Sequence, residues 1–160
     1  MFNIPKFIRP EDLKAQRTLV RNAGRSLVLT NGCFDLLHAG HIYSLEAAAK
    51  QGDVLWVGIN SDASVRQLKG DSRPIYNEQA RLYLLNALQC VQGVFLFQGQ
   101  DLSEEITKIQ PDVYVKAGDY TIEKLNPKER LALEACHTTI KFMPFLDGWS
   151  TTNTIRKLKL

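Results

Sequence analysis

Long apolar runs are missing from this sequence. Its strongest, VLWVGI at 54–59, is far short of the roughly 20 residues that cross a bilayer, so no membrane span is expected. The opening MFNIPKFIRPEDLK meets Pro5 and Pro10 early and carries acidic residues, unlike the apolar core of a signal peptide. Cysteine is scarce: Cys33, Cys90 and Cys136 are odd in number and far apart, which excludes a disulfide framework and points to a reducing compartment. Together these absences predict a soluble, cytoplasmic protein. Charge of one sign is also lacking, with 20 Lys and Arg against 17 Asp and Glu. Nucleic-acid binding wants a strongly basic face, so no such partner is expected. Arg156, Lys157 and Lys159 read as a solvated last helical turn. There is no internal repeat, low-complexity tract or linker. Neither G-x-x-x-x-G-K-[ST] nor G-x-G-x-x-G occurs, so any nucleotide site must be built another way.

What is present is an alternation. The 160 residues suit one domain, 1–160, with 1–24 as a helical segment packed on it. EDLKAQRTLVRNAG (11–24) reads as an amphipathic helix closed by Gly24, SLVLT (26–30) as a strand, and HIYSLEAAAKQG (41–52) as a helix. The strand VLWVGI and the capped helix SDASVRQLKG (61–70) follow. After the loop DSRPIYN come the helix EQARLYLLNALQC (78–90), the strand VFLF (94–97) and the helix SEEITKIQ (103–110). The strand DVYVKAG (112–118), the helix PKERLALEACH (127–137), the strand TIKFMPF (139–145) and a terminal helix (151–160) complete the series. Short continuous apolar strands separated by helices predict an α/β fold: a Rossmann-like, doubly wound, five-stranded parallel sheet with helices on both faces. Ligands of such sheets bind beyond the carboxyl ends of the strands, where the strand order switches.

Polar residues cluster at those ends. After the first strand, TNGCFDLLHAGH places Asn31, Gly32, Cys33, Phe34, Asp35, His38, Gly40 and His41 at the mouth of a helix. His38 and His41 lie one turn apart and can face one spot, Gly40 permits close approach, and the helix start offers free N–H groups and a positive dipole end. Three readings compete: an anion cradle, a zinc site using Cys33, or a pair of core histidines. The spacing Cys-x4-His-x2-His is unusual for zinc and lacks an obvious fourth ligand, which favours the anion cradle. DGWSTTN (147–153) supplies Ser150, Thr151 and Thr152 at another helix start, where a plain N-cap needs only one hydroxyl residue. VKAGDY (115–120) offers Lys116 as a cation, Gly118 for close approach and Asp119 as a hydroxyl or magnesium ligand; a surface turn is the bland reading. LKGDSRP adds Lys69 and Arg73 as a possible clamp, and Arg81 either covers its helix or reaches the site. Asn60 and Asp62, after the second strand, are candidates for shaping a substrate pocket, whereas His137 reads as a helix-end residue.

Taken together, NGCFDLLHAGH and WSTTNTIRK resemble the two signatures of the H-x-G-H nucleotidyltransferases, the cytidylyltransferase-like family, over nearly the whole chain. Within it, GINSDASVRQLKGDSRPI, PDVYVKAGDY and DGWSTTNTIRK look closest to the heptose 1-phosphate adenylyltransferase branch. No kinase-sized region accompanies them, so the stand-alone form of that branch is expected. The chain departs from the family pattern at Cys33, where many members carry Thr or Ser, and at YNEQAR before the helical arginine. The resemblance implies transfer of AMP from ATP to a sugar 1-phosphate with release of pyrophosphate, Mg²⁺ accompanying the triphosphate, and a homodimer. It implies catalytic roles for His38, His41, Lys69 and Arg81, and nucleotide contacts from Asn31, Gly32, Cys33, Phe34, Gly40, Lys116, Gly118, Asp119, Ser150, Thr151 and Thr152. Asp35, Asn60, Asp62, Lys69, Arg73 and Asp119 are the implied substrate contacts. The nearest alternatives keep the chemistry and change the substrate: a cytidylyltransferase for glycerol 3-phosphate or phosphoethanolamine, or an FAD-synthase-like adenylyltransferase.

Overall fold

Five runs rich in β-branched and large apolar residues form the sheet: β1 (Leu27–Gly32), β2 (Val54–Asn60), β3 (Gly93–Phe97), β4 (Val113–Ala117) and β5 (Thr139–Met143). The computed structural model describes residues 2–118, 120–143, 146, 148, 149, 151, 154 and 155. Every strand pair is parallel, and the order is β3-β2-β1-β4-β5. Parallel strands need crossover connections, and helices supply them: α2 (Ala39–Ala49), α3 (Asp62–Lys69), α4 (Glu78–Asn86), α5 (Ser103–Ile109) and α6 (Pro127–Ala135), with α1 (Leu13–Asn22) ahead of the sheet. The expected doubly wound α/β architecture is therefore the one observed.

Period-two alternation splits each strand between two cores. Leu27 and Leu29 face one cluster with Trp56, Phe95, Ile106 and Leu133, whereas Val28 faces the other with Leu45, Leu55, Leu82 and Val115. The interior strand β2 is buried along its whole length, as a strand covered on both faces must be. The N-terminal segment is tied to the sheet: Leu13 is buried in the first core, and Phe7 forms a parallel bridge with Val94. Among the described residues no helix is long and apolar enough to cross a membrane.

Two of the boundaries that differ from the sequence expectation have a direct structural cause. The helix expected to start at His41 begins at Ala39, because His38 takes an extended conformation (φ −141°, ψ 170°) and serves as its N-cap. The helix expected to run to Cys90 stops at Asn86. There the chain must turn so that Gln92 can exchange two hydrogen bonds with Leu55 of β2, at 2.9 and 2.8 Å. Sheet pairing overrides helical periodicity at that point. The terminal-helix expectation falls mostly outside the described residues; Thr151, Thr154 and Ile155 are helical.

Candidate active site

The strand order places a switch point between β1 and β4, whose onward connections leave toward opposite edges. A cleft of about 890 Å³ opens there, at the carboxyl ends of the strands. That volume suits a nucleotide-sized ligand, since small-molecule sites span roughly 300–1,000 Å³. The β1–α2 loop supplies Asn31, Cys33, His38, Gly40 and His41; α3 brings Lys69; β4 brings Lys116; and Trp149 and Thr151 complete the lining, with Trp149 packed beside His38.

The β1–α2 loop leaves the strand through Phe34, which holds a left-handed φ of 45°, a strained choice for a residue with a Cβ. The turn delivers His38 and His41 as a stacked pair, ring centroids 3.8 Å apart. The His38 backbone N–H lies 3.4 Å from His41 Nδ1. Burial lowers the His41 pKa to about 4, helped by His38 and Lys69 and opposed by a backbone hydrogen bond to Leu36. Burial also lowers the His38 pKa. At neutral pH both shifts favour the uncharged imidazole, in which one ring nitrogen carries a proton and the other can accept one. His38 Nδ1 is buried and has no hydrogen-bond partner among the described residues. The close approach expected at Gly40 comes from the chain itself: a Cβ there would lie 2.9 Å from Trp149 Cβ and 3.1 Å from the His38 ring.

The floor of the cleft is a part-buried polar network. Lys116 Nζ donates to Asn31 Oδ1 at 2.8 Å and to Tyr114 Oη at 3.1 Å, and lies 3.7 Å from Glu129 Oε2. Asn60 is buried at the end of β2, donates to Ser64 Oγ at 3.0 Å, and has the Cys33 thiol 3.7 Å from its Oδ1. Gly118 takes a φ of 124°, open to glycine but strained for other residues, and its N–H closes onto the Met143 carbonyl at 2.9 Å.

Residues 29–157 match the family model described as cytidylyltransferase-like. The chain belongs to the cytidylyltransferase-like family. The bifunctional protein HldE of Trichlorobacter lovleyi is 49% identical over 138 residues, covering 86% of this chain and 28% of that protein. The protein of the same name from Geotalea uraniireducens is 46% identical over 147 residues, covering 92% of this chain and 29% of its own length. The chain thus spans less than a third of these relatives. The crystal structure of the lipopolysaccharide core biosynthesis protein from Thermoplasma volcanium matches with a TM-score of 0.62 at 28% identity, over 77% of this chain and 98% of that one. The pantoate–β-alanine ligase from Francisella tularensis, at 12% identity and a TM-score of 0.60 over 96% of this chain and 76% of its own, shares the fold.

In this cytidylyltransferase-like chain, several expected contacts converge and others do not. Asn31, Gly32, Cys33, Phe34, His38, Gly40, His41, Asn60, Lys69, Lys116 and Thr151 all line the cleft. Asp119, Ser150 and Thr152 lie outside the described residues. Arg81 is among those that do not converge on the cleft. It is fully buried away from the cleft, donating to the Tyr76 carbonyl at 3.1 Å, the Cys33 carbonyl at 2.7 Å and Asp62 Oδ1 at 2.7 Å. Asp62 is therefore turned onto Arg81 and does not line the cleft. Arg73 pairs with Asp35, and that carboxylate also accepts the Ile75 and Tyr76 N–H groups at 2.7 and 3.1 Å. Asp35 borders the cleft with its oxygens already committed, and Arg73 is drawn away from it. Both arginines brace the motif loop, because a buried carboxylate and buried carbonyls demand donors more strongly than an open cleft does. Among the described residues no three His, Cys, Asp or Glu side chains gather into a metal-sized group, Cys33, His38 and His41 included.

Sequence reading misses Tyr114, Glu129 and Trp149. Tyr114 and Lys116 stand two apart on β4, which places them on one face and is the single clue available. Glu129 sits in a helix whose charged residues otherwise read as solvated, and nothing local sets it apart.

Proposed function

We propose that this chain transfers the AMP moiety of ATP to heptose 1-phosphate, releasing pyrophosphate and giving ADP-heptose. The observation that carries the reading is the stacked His38–His41 pair at a helix N-terminus inside a nucleotide-sized cleft at the switch point. Family membership supports nucleotidyl transfer. The likeness of KAGDY and DGWSTTN to the heptose branch, together with the HldE relatives and the Thermoplasma structure, supports the sugar.

The nucleophile is a phosphate oxygen of the sugar 1-phosphate, ionised at neutral pH, so no general base is required. It forms a bond to the α-phosphorus of ATP as the bond to the β-phosphate bridging oxygen breaks and pyrophosphate leaves. Catalysis then consists of alignment and stabilisation of charge on the transferring and leaving groups. His41 and His38 donate from their rings to the α-phosphate and bridging oxygen. Lys69, exposed at the end of α3, adds a mobile cation, and Thr151 with its neighbours Ser150 and Thr152 receives the outer phosphates. Arg81 and Arg73 act indirectly, by holding the motif loop in place. Mg²⁺ belongs with the substrate as MgATP: it favours phosphate oxygens and water over an all-protein cage, and the described residues offer no cage. A homodimer in the cytoplasm completes this reading by resemblance.

A matrix of ATP, CTP, GTP and UTP against heptose 1-phosphate, glycerol 3-phosphate, phosphoethanolamine and FMN, following pyrophosphate release, tests it. Turnover confined to ATP with heptose 1-phosphate is expected. Preference for CTP with an alcohol phosphate, or for ATP with FMN, would replace it with the corresponding family alternative.

A further inference from the structure

The floor of the cleft contains an orientation constraint on Asn31. A carboxamide offers an acceptor at one end and donors at the other, whereas an ammonium has donors only. With Lys116 Nζ at 2.8 Å and Tyr114 Oη at 2.7 Å from the same atom of Asn31, that atom must be Oδ1; the flipped amide would press its own N–H groups against the ammonium. Nδ2 is left without a hydrogen bond among the described residues, on a side chain that lines the cleft. Glu129 secures the arrangement from α6: Oε1 accepts the Leu102 N–H at 3.0 Å, and Oε2 lies 3.2 Å from Tyr114 Oη and 3.7 Å from Lys116 Nζ.

We propose that Glu129 and Lys116, with Tyr114, are positioning residues that hold Asn31 Nδ2 as a fixed donor to a substrate phosphate. Glu129 borders the cleft but is only 4% exposed, with Oε1 committed to the Leu102 N–H and Oε2 turned to Tyr114 and Lys116, so it acts through the ammonium. The inference rests on the phosphate-transfer reading for the identity of the anion, and its geometry is independent of which sugar is used. The groups facing Lys116 are Glu129 from α6, Tyr114 from its own strand, Tyr120 from the loop beyond with its ring centroid 5.5 Å away, and Cys33 from the β1–α2 loop. Burial pulls the Lys116 pKa down, and Glu129 is the first group opposing that pull. Without the carboxylate the amine loses its proton more readily, becomes able to accept, and no longer dictates which end of Asn31 it meets.

The test is the sign of one substitution. Removing a negative charge beside an anion site should tighten anion binding by simple Coulomb attraction. Glu129→Gln, measured by calorimetric titration of the full chain with inorganic pyrophosphate, is instead expected to weaken binding about tenfold, the loss of one hydrogen bond to a charged group. The deficit should widen as the pH is raised, because deprotonation of Lys116 releases Asn31; a general structural defect would be the same at every pH. Should Glu129→Gln fail to fold, Asn31→Ala, which changes no charge, carries the test with the same expected loss. Tighter or unchanged binding in Glu129→Gln, a deficit flat in pH, wild-type affinity in Asn31→Ala, or no pyrophosphate binding by the parent chain would overturn the inference. Because pyrophosphate binding requires no sugar and no turnover, failure of the heptose reading leaves this result readable on its own.

Discussion

Replacing Arg81 with Met distinguishes a structural arginine from a substrate-binding one. The guanidinium is fully buried, with three donors engaged at 2.7–3.1 Å on Tyr76, Cys33 and Asp62. Met keeps much of the side-chain length and removes every donor. Breaking a buried ion pair costs about 3–5 kcal/mol, and an orphaned carbonyl about 1–3 kcal/mol. The Asp62 side chain is 22% exposed, so water partly restores its hydrogen bonds and the ion-pair loss falls to about 1 kcal/mol; with about 1 kcal/mol for each of the two carbonyls the total is about 3 kcal/mol. With a urea dependence of about 2 kcal/mol per molar, the unfolding midpoint should fall by about 1.5 M. Urea titration followed by circular dichroism measures it. The double variant with Asp62→Asn should lose less than the sum of the two single losses, by about 1 kcal/mol or more, because the two residues share one contact. Activity should drop as well, since the Cys33 carbonyl held by Arg81 belongs to the motif loop. A variant within about 0.5 kcal/mol of the parent in stability, with turnover abolished, would refute this reasoning and return Arg81 to the substrate.

His41→Ala should lower kcat by about 10²–10³-fold with little change in KM, as expected for removal of a transition-state donor; steady-state kinetics with ATP checks the split. Because His41 has its folded-state pKa lowered to about 4, folding is favoured by its neutral form. Stability from this group is full above the unfolded value near 6.5 and is lost as the pH falls toward about 4, by at most about 3 kcal/mol, which thermal melts across that range measure. Gly40→Ala should push Trp149 and the His38 ring apart, since its Cβ would meet Trp149 Cβ at 2.9 Å; a fall in ATP affinity and a change in Trp149 fluorescence would follow. Asp35→Asn removes the charge that pairs with Arg73 and should destabilise the fold by about 2–3 kcal/mol, read by urea denaturation, because the hydrogen bonds of a buried charge are among the stronger ones.

The fold was legible because its causes are local and repeated. Continuous apolar strands such as VLWVGI can be satisfied only between two helical layers, and the helices between them announce themselves by period and caps. The helix that ends at Asn86 instead of Cys90 marks the limit: nothing within that segment records that Gln92 is needed beside Leu55. At the site, the three-residue spacing made the pairing of His38 and His41 readable, although the rings meet across an extended N-cap and not along one helical face. Their uncharged state was not readable, since burial sets it.

The sequence by itself determined the layered α/β architecture, the strand ends that carry polar residues, and the residue types in the β1–α2 motif, all of which follow from periodicity and short-range geometry. Only the tertiary structure decided what each charge does. Lys69 and Arg81 look alike on the page, yet one is exposed at the mouth of the cleft and the other is buried beneath the motif loop. Glu129 became part of the cleft floor across many intervening residues from Asn31, through Lys116 and Tyr114. Burial and hydrogen-bond completion are properties of packed neighbours distant in the chain, so they leave no local signature for a reader of the sequence to find.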